Sequence, residues 1–177
     1  MTDEQKTERL KTVCANLDRV MIASIATVNS DGTPHNSPVF IAFTNDFSAV
    51  WSSAADAQHS HNIIRDHSAT VSITLFDSIQ ARGGGLYIAA QASQLKTTDP
   101  AFAQAYRAFT DRKAKFGGTT IAPEAYATPD GQQLYIAKPT TFWINYSQKD
   151  NTNAVIHDTR VEVTLAEIKE AYENAAQ

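Results

Sequence analysis

The sequence contains a single cysteine, Cys14, among its 177 residues. One thiol excludes an internal disulfide and a metal site built from several cysteines. An excess of positive charge is also missing, since 15 Lys and Arg residues stand against 19 Asp and Glu residues, a formal net charge of −4. Nucleic-acid-binding domains carry a basic excess or a basic stripe, so the charge balance argues against a nucleic-acid partner.

Long hydrophobic runs are missing as well. No apolar stretch approaches the roughly 20 residues of a membrane-spanning helix. The start, MTDEQKTERLK, lacks the apolar core of a signal peptide. We therefore expect a cytoplasmic protein with no membrane partner. The hydrophobic fraction of 42% is ordinary for a globular protein, and the length predicts one domain over residues 1–177.

The motifs of several enzyme classes are absent. The sequence has no GxSxG pattern of a hydrolase and no HExxH pattern of a zinc enzyme. The GGG at residues 83–85 does not form the GxGxxG of a dinucleotide site. His59 and His61 would diverge by roughly 200° on a helix, so no metal site is expected. No side chain stands out as an acid or base, and no catalytic residue is assigned.

What the sequence does contain is an alternation of strand-like and helix-like segments. Six strands are predicted at residues 20–28, 36–43, 47–53, 68–76, 86–95 and 132–146. Two turns support the first hairpins, NSDG with Gly32 at positive φ and the short TND connection. The strands are expected to be mostly antiparallel. The predicted fold class is mainly β with flanking helices, a six-stranded antiparallel barrel, because closure removes exposed sheet edges.

Four helices are predicted around these strands. The first is capped by Thr2 and Gln5, and its apolar stripe includes Cys14, which favours a buried apolar role over a nucleophile. A short helix is expected at about 54–65. Another starts with Asp99 as N-cap and Pro100 at the first helical position and ends at Gly117-Gly118. Thr164 and Glu167 cap the last helix. The segment TTIAPEAYATPDG (119–131) is either a lid or a connection.

The stretch WSSAADAQHSHNII (51–64) has two interpretations. In the first, Ser53 and Asp56 form a capping box, and His61 and His67 are solvated surface residues. In the second, the strand-to-helix junction binds an anion. Helix N-termini present free N–H groups and partial positive charge, and Ser52, Ser53 and His59 would add hydrogen-bond donors.

The order of these elements resembles the FMN-binding split-barrel proteins, the pyridoxamine 5'-phosphate oxidase-like family. The likeness is also textual, in the segments IATVNSDGTPHNSPVFIAF, VWSSAADAQHSHNIIRDHSATVSITLFD and GLYIAAQASQL. It covers about residues 10–147. Residues 148–177 would then form a C-terminal extension with a helix.

The resemblance implies a homodimer that binds FMN at the subunit interface and acts as an oxidoreductase on a small-molecule substrate. Ser37, Pro38 and Val39 would lie beside the flavin ring, and Trp51 is a candidate wall for it. The phosphate would be held by a hydroxyl pair, Ser52 and Ser53, and by a basic pair of the family. The positions that match the basic pair are Gln58 and His59.

The basic pair leaves a second interpretation open. Family members with tightly held FMN carry Arg or Lys there, whereas Gln58 is uncharged and His59 carries only part of a charge. The same barrel could therefore be a non-catalytic binding or sensing protein for flavin, for haem or for no firmly held cofactor. A deazaflavin is a third candidate. The vitamin B6 substrate residues have no clear match, so oxidation of pyridoxamine phosphate is not predicted.

Overall fold

The computed structural model of the chain describes residues 1–65, 69–76, 85–152 and 154–175. His67 and the expected loop at 77–84 lie outside these residues. The helices are α1 (Asp3–Leu17), α2 (Gln58–Ile64), α3 (Phe102–Lys115) and α4 (Leu165–Ala175). The strands are β1 (Ile22–Val28), β2 (Pro34–Phe40), β3 (Ala42–Phe43), β4 (Ala49–Ala54), β5 (Ala69–Phe76), β6 (Gly85–Leu95), β7 (Gln132–Lys149) and β8 (Val155–Val163).

The strands form one sheet in the order β2-β1-β5-β6-β7-β4-β3, and β8 pairs with β7. The pairs β1–β2, β3–β4, β4–β7 and β7–β8 are antiparallel. This largely antiparallel sheet with four flanking helices confirms the predicted fold class. The predicted number of six strands is wrong, because the described residues form eight.

The two additional strands have different origins. The predicted strand at 36–43 is divided at Ile41, whose N–H donates to the carbonyl of Met21, so that β3 is a separate two-residue strand paired with β4. β8 was not predicted at all. Its residues are mostly exposed and lack the alternation of a half-buried strand. It exists through its pairing with β7.

Helix starts that depend on local hydrogen bonds agree with prediction at both ends of the chain. Thr2 and Gln5 exchange their bonds at the start of α1, and Thr164 and Glu167 do so before α4. The cap predicted for α3 is wrong. That helix begins at Phe102, and the Asp99 carboxylate accepts a bond from the Lys96 N–H at 2.7 Å.

The glycine positions follow the predicted turns. Gly32 has a φ of +84° in the β1–β2 turn and Gly117 a φ of +72° after α3. Both values lie in the left-handed region that glycine adopts at little cost. Pro139 was expected at an edge or a bulge. It lies in β7 between the residues paired with β4, which end at Ala137, and those paired with β8, which begin at Phe142.

The chain divides into two compact units. Unit 1 comprises residues 1–20, 74–88 and 141–177, and α1 packs on α4 in it. Cys14 is 1% exposed there, and its thiol lies 3.6 Å from the carbonyl oxygen of Ile168. Burial raises the pKa of this thiol to about 12, which supports the predicted role as a buried apolar group.

Unit 2 comprises residues 21–73 and 89–140 and contains a hydrophobic core between α3 and strands β3, β4 and β7. The 119–131 segment joins this core through Tyr126. Tyr126 is buried within it and contacts the rings of Phe102 and Tyr106. The Tyr106 hydroxyl also donates to the carbonyl of Ile121 at 2.9 Å.

Candidate functional site

Three of the predicted site residues meet in unit 2. His59 lies in the first turn of α2, Ser37 on β2 and Ser53 near the end of β4. The two ring nitrogens of His59 contact the two serines, with Nδ1 3.1 Å from Ser37 Oγ and Nε2 2.8 Å from Ser53 Oγ. We call Ser37, His59 and Ser53 the serine–histidine cluster. All three come from segments that are predicted from the sequence to bind the cofactor.

A fourth residue extends this cluster. His35 Nε2 lies 3.0 Å from Ser37 Oγ. The side chains of His35 and Ser37 lie on the same face of β2 because side chains two positions apart on a strand share a face. His35 was not among the predicted site residues. The signal that identifies it is its two-residue spacing from Ser37.

The short helix α2 is positioned by polar side chains. Asn62 is 2% exposed and donates to Thr27 Oγ1 and Asn29 Oδ1, both at 2.9 Å. Ser60 is fully buried and donates to the carbonyl of Ala54 at 2.8 Å. These bonds tie the helix to β1 and to the end of β4. Sequence reasoning missed both residues, although Asn62 stands three positions after His59 and therefore lies near it on the helix surface.

The electrostatics of the cluster are set mainly by burial. His59 is 7% exposed. Burial, and after it the charge of His35, lowers the pKa of His59 below the ordinary histidine value, because desolvation disfavours the charged form. His59 is therefore a neutral imidazole at pH 7. A neutral imidazole donates one hydrogen bond and accepts another.

The two serines of the predicted hydroxyl pair are separated. Adjacent residues on a strand project to opposite faces. Ser53 contacts His59, whereas the Ser52 hydroxyl donates to Gln132 Oε1 at 3.0 Å. The predicted capping box of Ser53 and Asp56 is wrong, because α2 begins at Gln58 and the residue at its N-cap, Ala57, makes no side-chain cap.

The remaining predicted residues lie around the cluster in different environments. Gln58 is exposed and donates to Asn62 Oδ1 at 3.1 Å. Pro38 is exposed on β2 and Val39 is buried. Trp51 is fully buried and stacks on Tyr135 with ring centroids 5.5 Å apart. Trp51 thus packs behind the strand and presents no surface to a ligand.

In residues 1–65, 69–76, 85–152 and 154–175, no group of three or more His, Cys, Asp or Glu side chains is arranged to hold a metal ion. Within the same ranges, no helix combines the length and the apolar character that crossing a membrane requires.

The family model of pyridoxamine 5'-phosphate oxidase matches residues 10–146. No curated protein sequence matches the chain significantly. Among solved structures, the chain is similar to a haem-binding protein from Mycobacterium smegmatis, with a TM-score of 0.60 and 17% identity. That similarity covers 96% of this chain but only 60% of the haem-binding protein.

Two further solved structures share the fold. An F420 reductase has a TM-score of 0.52 and 23% identity, over 71% of this chain and 91% of the reductase. A haem storage protein from Vibrio cholerae has a TM-score of 0.56 and 16% identity, over 79% of this chain and 92% of that protein. At these identities the similarities concern the fold alone.

Proposed function

Because the chain belongs to the pyridoxamine 5'-phosphate oxidase family of split-barrel proteins, we propose that it is an FMN-binding flavoprotein and an oxidoreductase. The observation that carries this proposal is the serine–histidine cluster. Its residues match those that the family resemblance assigns to the cofactor, and they come from two strands and a helix. When bound, FMN supplies the hydride and electron chemistry. The protein would bind and orient it.

The donor set of the cluster fits a phosphate group. The Ser53 hydroxyl can donate a hydrogen bond to a phosphate oxygen, His59 supports that hydroxyl, and Ser53 is half-buried at the end of β4. The fit lacks a fixed charge, because Gln58 is neutral and the pKa of His59 is lowered by burial and by His35. Charge-assisted bonds are roughly twice as strong as neutral ones. We therefore expect reversible rather than permanent binding of FMN.

The flavin ring would lie along β2. Ser37 and Val39 project inward on this strand and Pro38 outward. Pro38 would then contact the ring, and Ser37 would hold the imidazole of His59 in place. Trp51 would support the site from behind as a packed core residue. No catalytic acid or base is assigned, and the substrate is proposed only as a small molecule.

A homodimer is part of the same proposal. In unit 2, Ile22 and Val28 on β1 are 52% and 51% exposed. Exposed apolar residues are found at protein–protein contacts. Ile22 and Val28 lie at the two ends of the same face of β1, and Pro34, on the adjacent strand β2, is paired with Val28. These residues support a subunit interface on the outer face of the β1–β2 hairpin.

A non-catalytic binding protein is the second candidate function. The neutral state of His59 favours it, since a phosphate held without a cation is held weakly. Haem-binding and haem storage proteins share this fold, as does an F420 reductase. Haem and the deazaflavin F420 are therefore tested beside FMN.

The test is a visible absorption titration of the purified full chain with FMN, haem and F420, together with its mass in solution. A serine pair supplies matched variants. We expect Ser53→Ala to weaken FMN binding about tenfold, the worth of one hydrogen bond. Ser52→Ala should leave the affinity unchanged, because that hydroxyl donates to Gln132 instead.

The outcomes separate the candidates. FMN binding by a dimer with the expected difference between the serine variants supports the flavoprotein. Equal losses of FMN affinity in both variants would mean that Ser53 does not hold the phosphate. A protein that ignores FMN and F420 but develops a haem absorption band would move the non-catalytic function to first place.

A further inference from the structure

Four side chains of unit 2 form one continuous hydrogen-bonded chain. His35 Nε2 lies 3.0 Å from Ser37 Oγ, Ser37 Oγ lies 3.1 Å from His59 Nδ1, and His59 Nε2 lies 2.8 Å from Ser53 Oγ. Each separation is that of an ordinary hydrogen bond. We call these four residues the relay. One end, His35, is half-buried, and the other end is the hydroxyl proposed to bind phosphate.

The hydrogen bonds of the relay can run in two directions, because each group has a limited number of hydrogens to donate. A serine hydroxyl has one hydrogen, and a neutral imidazole has one N–H. If His59 carries its hydrogen on Nε2, it donates to Ser53, Ser37 donates to His59, and His35 donates to Ser37. If His59 carries its hydrogen on Nδ1, every bond is reversed. Ser53 then donates to His59, and His35 accepts from Ser37.

The two arrangements differ at the ligand end. In the first, Ser53 accepts from His59, and its own hydrogen is free for a phosphate oxygen. In the second, that hydrogen is used by His59, and Ser53 offers only lone pairs, which repel an anion. We propose that His35 is a positioning residue that sets, through Ser37 and His59, whether the Ser53 hydroxyl donates or accepts. This inference rests on the proposed function, because it concerns the hydroxyl assigned there to the phosphate.

Protonation of His35 selects the first arrangement. A protonated imidazole carries hydrogens on both nitrogens and cannot accept, so His35 must donate to Ser37. Ser37 then donates to His59 Nδ1, and His59 Nε2 donates to Ser53. Histidine is the side chain that ordinarily changes charge between pH 5 and 8. By linkage, phosphate binding in turn favours protonation of His35.

Other polar groups around the relay are engaged elsewhere or exposed. On the β1–β2 hairpin, Asp31 accepts from Thr33. On α2, Arg65 donates to the carbonyl of Val28, and His61 is exposed. Asp56, in the turn before α2, is exposed as well. His35 is the group whose charge acts on His59.

The test measures the affinity for FMN from pH 8 to pH 5.5 in the wild type, His35→Gln and Ser37→Ala. Glutamine retains a donor and an acceptor at position 35 but does not titrate. We expect the affinity of the wild type for FMN to rise about five- to tenfold on acidification. The affinity of each variant should rise less. The titration of the FMN phosphate itself is common to all three proteins. Ser37→Ala keeps the charge of His35, so a wild-type pH profile in this variant would mean a through-space effect and overturn the relay.

A second readout needs neither FMN nor a variant that folds poorly. Nitrogen NMR of the labelled cofactor-free wild type distinguishes the two tautomers of His59. We expect the Nε2–H form to increase as the pH falls from 8 to 5.5, and a constant tautomer would overturn the inference. If FMN fails to bind at every pH, the proposed function fails, and the tautomer of His59 still decides the relay.

Discussion

The buried imidazole of His59 should make the stability of the protein depend on pH. Burial and then His35 lower its pKa in the folded protein, whereas an unfolded chain returns it to about 6.5. Below that value the unfolded chain binds more protons than the folded one. The free energy of unfolding should therefore decrease as the pH falls from 7 through about 6.5 toward the lowered pKa.

The measurement is urea denaturation at pH 7.5, 6.5 and 5.5. We expect His59→Gln to reduce the dependence of stability on pH, although the variant is less stable at every pH. His61→Gln is the matched control, since His61 is exposed on the same helix and should leave the dependence unchanged. A wild-type dependence in His59→Gln would show that this imidazole is not the group held neutral by the fold.

At the residue scale, the sequence predicted three residues that the structure brings into contact, and it predicted one serine pair that the structure separates. Ser37, Ser53 and His59 were all named beforehand, and the structure brings them together. Ser52 was paired with Ser53 because the two are adjacent in sequence. The alternation of side chains along β4 separates them. His35 extends the cluster by its contact with Ser37, and this contact belongs to the site only because the fold places Ser37 beside His59.

At the scale of elements, α2 shows how a helix of seven residues is held in place. Isolated helices of this length are unstable in water, so tertiary contacts must position it. Asn62 provides two of these contacts from a buried position. We expect Asn62→Ala to lower the free energy of unfolding by about 2 kcal/mol, because Thr27 on β1 and Asn29 just after it lose a buried donor.

The control for this prediction is Gln58→Ala. Gln58 is exposed and its side chain donates to Asn62 Oδ1, so its loss should change stability by less than about 0.5 kcal/mol. Chemical denaturation of both variants at one pH compares them directly. Similar losses in the two variants would mean that Asn62 does not anchor the helix.

The helix starts illustrate which elements could be predicted. Those of α1 and α4 depend on bonds between residues three positions apart, and sequence is sufficient for such contacts. The start of α2 was placed too early, at about residue 54. Ser53 and Ala54 pair with Gln133 and Gln132 of β7, which keeps them in an extended strand. A partner about 80 residues away therefore decides where that helix begins.

At the scale of the whole molecule, the proposed homodimer is directly testable. Ile22→Glu places a charge on the exposed face of β1, where burying it against a second subunit would be costly. We expect this variant to be monomeric by sedimentation equilibrium and to bind FMN more weakly, since the proposed site lies at the subunit interface.

Ile121→Glu is the matched control. Ile121 is also an exposed isoleucine of unit 2, at 39% exposure, but it lies in the 119–131 connection. This variant should keep the mass and the FMN affinity of the wild type. A monomeric wild type, or dissociation in both variants alike, would remove the β1–β2 hairpin as the interface.

The sequence by itself determined the class of the fold, the terminal helix caps and the Gly32 and Gly117 turns, and it named the residues of the proposed site. Each of these depends on local periodicity, on bonds within one turn or on motifs that resemble a family. Only the tertiary structure decided the split of β2 from β3, the presence of β8, the start of α2 and the relay. Strand pairing and the contact between Ser37 and His59, 22 positions apart, depend on distances that local sequence does not specify.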